Sequence, residues 1–268
     1  MLIWLVLIPL IAAALIGLCK APARPTALLS ASLTLALGIW ALVSFDGCSS
    51  CWSRFEGMDL QLTLAPALSK VMLLLTILVT FATVLGTNPP QGGEASWYNS
   101  ALLISAGATG AFLSDNIISF FAFHELALIP TFVMIGLYGR GDRRTTAWRA
   151  TLYLGLASMV LLAALLMIGT QAGFTFSGLK DFMASGRELA HAELIGALLI
   201  AGFGTLISLF PFHSWAAPAY ASAPAPVAMM HAGVLKKFGL YGLFMFQPLM
   251  ETGFLPWTNI LLVLLVVA

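Results

Sequence analysis

The stretch SLFPFHSWAAPAYASAPAP, residues 208–226, separates two apolar segments and decides how the chain can fold. Pro211, Pro218, Pro224 and Pro226 each lack a backbone N–H, so they prevent one continuous helix here. Backbone that is freed at membrane depth has to be covered by protein or to line a wet cavity. Broken helices of this kind mark transport sites in many carriers. The stretch therefore predicts a transport site, with a plain loop as the alternative.

The composition around this break is that of a membrane protein. Of the 268 residues, 60% are hydrophobic and 9% are charged, whereas a soluble domain carries about 25% charged residues. A spanning helix needs about 20 apolar residues. Segments of this kind lie at 2–19, 27–45, 67–87, 99–115, 117–138, 150–170, 194–210 and 225–246, and another begins near 257. The sequence predicts an all-α, polytopic transmembrane helix bundle of about eight or nine helices, with a discontinuous helix near 194–224.

The loops between these segments carry nearly all the charges. Lys20 and Arg24 precede the second segment, and RGDRRTTAWR, residues 140–149, follows the fifth. Both basic loops fall on one side, which the positive-inside rule makes the cytoplasm. The loops at 46–66 and 171–193 then lie outside. The first segment lacks the flanks of a signal peptide, so we expect a multi-pass protein of the inner (plasma) membrane with its N-terminus outside.

Three parts are expected along the chain. Residues 1–64 hold the N-terminal transmembrane helices and an outer loop, residues 65–246 form the channel core, and residues 247–268 begin a further helix. As a helix, residues 257–268 would extend roughly 18 Å, against a hydrocarbon core of about 30 Å. We therefore expect a fragment of a longer protein, with a re-entrant stub as the alternative.

The three cysteines do not specify a site. Cys19 lies at a helix end, and Cys48 and Cys51 form a CSSC stretch in a polar loop. One CxxC is half a zinc site, and no second CxxC or histidine pair accompanies it. A disulfide or no special role is favoured over metal or redox work. Three cysteines also cannot hold a four-cysteine iron–sulfur cluster, so no metal site is predicted.

Two ionisable residues lie inside the fifth segment, within FFAFHELALIP, residues 120–130. Such groups cost about 2.5–3.5 kcal/mol each on insertion scales and are by default interpreted as functional. Glu125, near the midpoint, is either a protonated, hydrogen-bonded carboxyl group or part of a proton relay. In a relay, burial favours its protonated form and a nearby cation favours its ionised form, so that its charge can change. The relay is favoured. His124 is turned about 100° around the helix, so we expect it on another face, with packing and function both open.

The eighth segment, APVAMMHAGVLKKFGLYGLF, carries three more ionisable residues. Lys236 and Lys237 fall at its centre, too deep for both to snorkel to an interface, and consecutive positions send them in different directions. Because a buried lysine can release its proton near neutral pH, both are predicted to join a proton relay that His231 could extend. A structural role is the alternative. His213 and Pro211, in the broken stretch, are expected to line the same channel.

Three motifs, FHELALIP, FPFHSWAAPAYASAPAP and HAGVLKKFGLYG, resemble the antiporter-like membrane subunits of respiratory complex I, those of the chain M type most closely. The wider group includes subunits of cation/proton antiporter complexes and of membrane-bound hydrogenases. The resemblance covers roughly residues 65–268. It implies the first inverted repeat of the antiporter-like fold, with residues 65–246 as a proton-channel core. Full-length members of the family contain two such repeats.

The resemblance also implies roles for individual positions. The helix-five glutamate of the family matches Glu125, and the helix-eight lysine of its K-x-G-x-Y-G motif matches Lys237. The histidine of its F-P-F-H-x-W motif matches His213. In the family, the proton path runs through such residues along the membrane midplane.

This sequence departs from the family at two places. The family usually pairs the glutamate with a helix-seven lysine, where this chain has Leu206. The usual P-D-A-H after the tryptophan is replaced by residues 217–220, which read APAY. The usual pair therefore cannot form, and Lys236 or His231 could substitute for the missing lysine. A lysine placed at position 206 should be tolerated if the interior is hydrated there.

The favoured function is that of a proton-translocating membrane subunit of a complex I-like NADH–quinone oxidoreductase, with no redox chemistry of its own. NADH, flavin, iron–sulfur clusters and quinone are then expected on other subunits, and no cofactor on this chain. The expected partners are other membrane subunits, the lipid bilayer and protons, and not nucleic acid. Two alternatives remain: a subunit of a multisubunit cation/proton antiporter, and a non-pumping scaffold, which Leu206 favours.

Overall fold

The computed structural model of the chain describes residues 2–44, 49–55, 58–89, 92–247, 249 and 263. In chain order the helices are α1 (Trp4–Gly17), α2 (Ala23–Ser44), α3 (Ala67–Gly86), α4 (Glu94–Leu113), α5 (Ile117–Tyr138), α6 (Arg143–Ala172), α7 (Phe176–Ala184), α8 (Ala192–Ile207), α9 (Ala216–Ser222), α10 (Ala225–Met230) and α11 (Lys236–Met245). A π turn, His231–Leu235, joins α10 to α11. Between α2 and α3, β1 (Ser49–Phe55) and β2 (Met58–Thr63) form an antiparallel hairpin.

Several of the described helices have the length that a bilayer crossing requires. Four of the described helices, α2, α3, α5 and α6, are long and apolar enough to cross a membrane, while α1 and α8 are apolar but shorter. The predicted transmembrane helix bundle is thereby confirmed. The predicted discontinuous helix corresponds to α8 and α9, which lie on either side of a run of turns at 208–215.

Helix α4 lies at the centre of the bundle and packs against α1, α2, α3 and α5. Most of its residues are buried, and many are Ala, Gly or Ser, because small side chains let helix backbones approach closely in membranes. At Gly107, a Cβ would lie 2.6 Å from the carbonyl oxygen of Phe123 and 2.9 Å from the backbone nitrogen of Ala127. Glycine at this position therefore lets α5 pack tightly on α4 at the level of Glu125.

The first half of the broken helix ends through local backbone chemistry. Ser208 adopts a left-handed conformation with φ of 63°, and the Leu209 N–H donates to the Gly204 carbonyl at 2.7 Å. The indole N–H of Trp215 donates to the Thr205 carbonyl at 3.0 Å. These bonds satisfy backbone groups that hydrocarbon would leave unpaired.

Two stretches expected as loops contain regular structure. The hairpin occupies most of 46–66, and the short helix α7 lies within 171–193, where Thr175 caps it by accepting from the Gly178 N–H. Neither has a spanning length, so the pattern of long apolar segments does not predict them. Apart from Val263, the helix predicted to begin near 257 lies outside the described residues, as do Cys48 and the side chain of Cys51. The Cys19 thiol is free, and the residue is exposed.

Candidate functional site

Glu125 lies near the middle of α5, which begins after Asn116, whose side chain accepts from two backbone N–H groups of the first turn. The Glu125 side chain is 31% exposed. It faces a groove of about 150 Å³ between α5 and α6, in which Thr131 and Thr151 are the other polar lining residues. A carboxyl group therefore lies at membrane depth in a groove whose other polar lining side chains are two threonines.

His124 and Glu125 lie on different faces of α5, as expected, but their side chains contact each other. The Nδ1 atom of His124 lies 3.3 Å from Oε1 of Glu125, and the His124 side chain is only 1% exposed. The 100° offset separates the two Cα–Cβ bonds, but the longer side chains reach across it. The two residues form an ion pair when the imidazole is protonated and the carboxyl group is ionised.

The ring of His124 is surrounded by apolar groups. It packs edge-on against the ring of Phe238 in α11, with 5.0 Å between the ring centroids. Neither ring nitrogen has a hydrogen-bond partner among the described residues. Leaving a buried polar atom without such a bond costs about 1–3 kcal/mol. His124 therefore occupies a position that a purely apolar side chain would fill at lower cost.

Other buried hydroxyl groups in the same part of the bundle are also without hydrogen-bond partners among the described residues. Ser158 of α6, which lies next to Glu125, and Ser105 and Thr109 of α4 each have a buried Oγ atom of this kind. Hydrocarbon cannot satisfy these atoms. The two helices that pack against α5 on either side thus place polar atoms inside the bundle.

A second polar cluster lies where α9 meets the π turn. His231, the first residue of that turn, is 5% exposed, and its Nδ1 atom lies 3.0 Å from the Tyr220 hydroxyl of α9. The Nε2 atom of His231 is buried without a partner among the described residues. Single π turns often occur at functional sites. Tyr220 was not predicted as a site residue, although its place in the altered P-D-A-H motif was a signal.

Lys236 faces this second cluster. Its Nζ atom lies 5.0 Å from the ring centroid of Tyr220 and 6.0 Å from that of Trp215, which are distances typical of cation–π contacts. Gly239, three residues further along α11, packs against Leu206 and Ile207 of α8. Lys236 therefore lies on the face of α11 that contacts the broken helix.

Lys237 lies on a different face of α11, as its position next to Lys236 predicts. Tyr241, four residues later and hence on the same face, forms a hydrogen bond of 3.0 Å with Ser69 of α3. Lys237 therefore lies on the face of α11 from which Tyr241 reaches α3. Because Phe238 contacts His124, the two lysines and the Glu125–His124 pair lie at a similar depth in the bundle.

The remaining predicted residues are separate from these two clusters. His213 and Pro211 are exposed, and the ring of His213 stacks on that of Phe210, 5.7 Å away. Their channel-lining role stays a prediction. Leu206 is 4% exposed and packs against α11. Among the residues that the structure describes, no three His, Cys, Asp or Glu side chains come together as metal ligands.

The chain is similar in sequence to membrane subunits of quinone oxidoreductases. The family described as NADH:quinone oxidoreductase/Mrp antiporter, TM, matches residues 114–268. NAD(P)H-quinone oxidoreductase chain 4 2 of Microcystis aeruginosa is 33% identical over 199 residues, which are 72% of this chain and 34% of that protein. The chain thus spans about a third of the length of the curated relatives it matches.

Solved structures agree with this similarity. A chain in respiratory complex I from Thermus thermophilus with bound NADH superposes with a TM-score of 0.85 and 26% identity, covering 98% of this chain and 56% of that chain. A chain of the Mrp complex from Dietzia superposes with a TM-score of 0.79 at 23% identity, covering 97% of this chain and 29% of that chain, and so shares the fold. The resemblance predicted from the motifs is confirmed, and this chain belongs to the NADH:quinone oxidoreductase/Mrp antiporter family of transmembrane proteins.

Proposed function

We propose that this chain is a proton-translocating membrane subunit of a complex I-like NADH–quinone oxidoreductase. The observation that carries the proposal is the carboxyl group of Glu125, in contact with a buried histidine inside the membrane. An ionisable group at this depth is costly and is by default a functional candidate. A neighbour that can share its proton allows Glu125 to change its charge during a transport cycle.

The proposed proton relay uses residues at one depth of the bundle. Glu125, Lys237 and Lys236 would exchange protons, and His231, His213 and Pro211 would line the path. A change at the redox arm of the complex would alter the charge state of Glu125, and Lys237 would then take up or release a proton. The buried hydroxyl groups near Glu125 that have no hydrogen-bond partner among the described residues support a path that water can enter.

The redox chemistry is assigned to other subunits. We propose that NADH, flavin, iron–sulfur clusters and quinone bind there and that this chain binds no cofactor. Its partners would be other membrane subunits of a complex I-like assembly, since the solved structures it resembles are multisubunit membrane complexes. It would lie in the inner (plasma) membrane with its N-terminus outside, as the basic loops of the sequence favour.

A cation/proton antiporter subunit is the second candidate. The matching family includes Mrp antiporters by its own description, and the same buried residues could serve either role. The quinone-linked reaction discriminates between the two candidates. A non-pumping scaffold is less favoured, because a scaffold gains nothing from keeping Glu125, Lys236 and Lys237 in the membrane.

The test is proton pumping by the complete membrane complex in sealed vesicles, driven by NADH and a quinone. Glu125→Gln keeps the size of the side chain but cannot carry a negative charge. We expect this variant to assemble into the complex. The complex should then pump fewer protons per NADH oxidised, because this subunit no longer contributes. Glu193→Gln, in the first turn of α8 and exposed, is the matched control and should pump normally.

Normal pumping by Glu125→Gln would contradict the proposal. Loss of pumping in both variants would point to a general effect of removing a carboxylate and would also count against it. Absence of quinone-linked pumping in the wild type, together with sodium-dependent proton exchange, would favour the antiporter function.

A further inference from the structure

We infer that His124 is the direct proton-exchange partner of Glu125 and that it takes the place of a partner from α8 in this chain. The inference rests on the proposed function and adds a residue to it. It starts from the 3.3 Å distance between His124 Nδ1 and Glu125 Oε1, a contact between two titratable groups, and neither atom has a hydrogen-bond partner among the described residues.

The described residues of α8 provide no such partner in contact with Glu125. Leu206, on the α8 face toward α11, is buried and packs against Gly239, where a Cβ would lie 3.2 Å from the Leu206 Cβ. From α6, the neighbour of Glu125 is Ser158, whose hydroxyl group carries no charge. Of the described side chains that contact Glu125, His124 is the one that can become a cation.

Packing holds the imidazole in place for this role. The close approach of α4 at Gly107 buries the backbone of α5 on both sides of His124. The ring of Phe238 contacts the imidazole edge-on, and the ring of Phe121 lies 6.3 Å away. A phenylalanine would make comparable ring contacts without burying two nitrogen atoms. Packing alone therefore does not account for a histidine at this position.

The proton transfer balances without any further reactant. The O–H bond of protonated Glu125 breaks and an Nδ1–H bond forms on His124, which leaves a carboxylate and an imidazolium ion in contact. The imidazolium then releases its Nε2 proton to a water molecule or an amine on the side of α11, and it returns to the neutral form. Lys237 directly precedes Phe238, whose ring His124 contacts, which makes its amine a candidate acceptor on α11.

Three substitutions at one position separate proton exchange from packing, and they are made in the complete complex. His124→Phe keeps an aromatic ring against Phe238, and His124→Gln keeps a polar group but cannot carry a proton at neutral pH. His124→Lys restores a titratable cation. We expect the first two to lower the protons pumped per NADH oxidised to the level of Glu125→Gln, and His124→Lys to recover pumping. His191→Asn, at the exposed start of α8, is the control that should pump normally.

A second readout does not depend on pumping. With ¹⁵N-labelled histidine in the reconstituted complex, the ring nitrogen signals of His124, assigned by their loss in His124→Phe, should shift when Glu125 is replaced by Gln. Normal pumping by His124→Phe while Glu125→Gln fails would overturn the inference and leave the proposed function intact. Unshifted His124 signals in Glu125→Gln would also overturn it. Normal pumping by Glu125→Gln would contradict the proposed function and, with it, this inference.

Discussion

The contact between α4 and α5 at Gly107 gives a prediction whose size follows from the structure. In Gly107→Ala, the new methyl group would lie 2.6 Å from the Phe123 carbonyl oxygen and 2.9 Å from the Ala127 nitrogen. Both are backbone atoms, so no side-chain rotation relieves the clash. Overpacking of this kind costs about 1–3 kcal/mol, whereas alanine gains about 0.5–1 kcal/mol over glycine within a helix. We expect a net loss of roughly 0–2.5 kcal/mol in the free energy of unfolding.

Gly136→Ala in α5 is the matched control. Its methyl group would lie 3.6 Å from the Ala147 Cβ, an ordinary van der Waals distance. Its free energy of unfolding should therefore exceed that of the wild type by about 0.5–1 kcal/mol. The two variants should then differ by about 1–3 kcal/mol. Because Gly107 faces the backbone on either side of Glu125 and His124, Gly107→Ala should also lower pumping, while Gly136→Ala should not.

The assay is unfolding of the purified chain in mixed micelles by titration with sodium dodecyl sulfate, followed by tryptophan fluorescence. The chain has seven tryptophans to report the transition. Equal free energies of unfolding for Gly107→Ala and Gly136→Ala would refute the close α4–α5 contact. Normal pumping by a destabilised Gly107→Ala would refute the link between that contact and the geometry of the Glu125–His124 pair.

Two further predictions concern helices α8 and α11. Lys237→Ala should impair pumping more than Lys236→Ala, because Lys236 is held against Tyr220 and Trp215. Lys236→Ala removes these cation–π contacts, so it should mainly lower the free energy of unfolding, by about 0.5–2 kcal/mol. Equal pumping by the two variants would contradict the larger role of Lys237 in pumping. Leu206→Lys should destabilise the chain, since Leu206 is buried against α11; unchanged stability would show that water reaches this position.

The sequence predicts those features that depend on local chemistry. Prolines in residues 208–226 indicate a broken helix because they remove backbone donors, and α8 and α9 have that arrangement. Glu125 stands out because a carboxylate in an apolar segment is costly. These arguments need no knowledge of how the helices pack.

The features that depend on packing could not be predicted in this way. Helical periodicity gives the direction of each Cβ atom but not the reach of the side chain, so the contact between His124 and Glu125 was missed. The Tyr220–His231 hydrogen bond joins α9 to the π turn, and neither the turn nor its docking follows from hydropathy. The burial of Leu206 likewise depends on the approach of α11 at Gly239.

The most direct test of the account asks whether Glu125 changes its protonation state during turnover. Infrared difference spectra of the reconstituted complex, recorded before and after NADH addition, report changes in carboxyl groups. The account predicts a carbonyl band of a protonated carboxyl group that changes on turnover and disappears in Glu125→Gln. A difference spectrum that is the same in the wild type and in Glu125→Gln would contradict it.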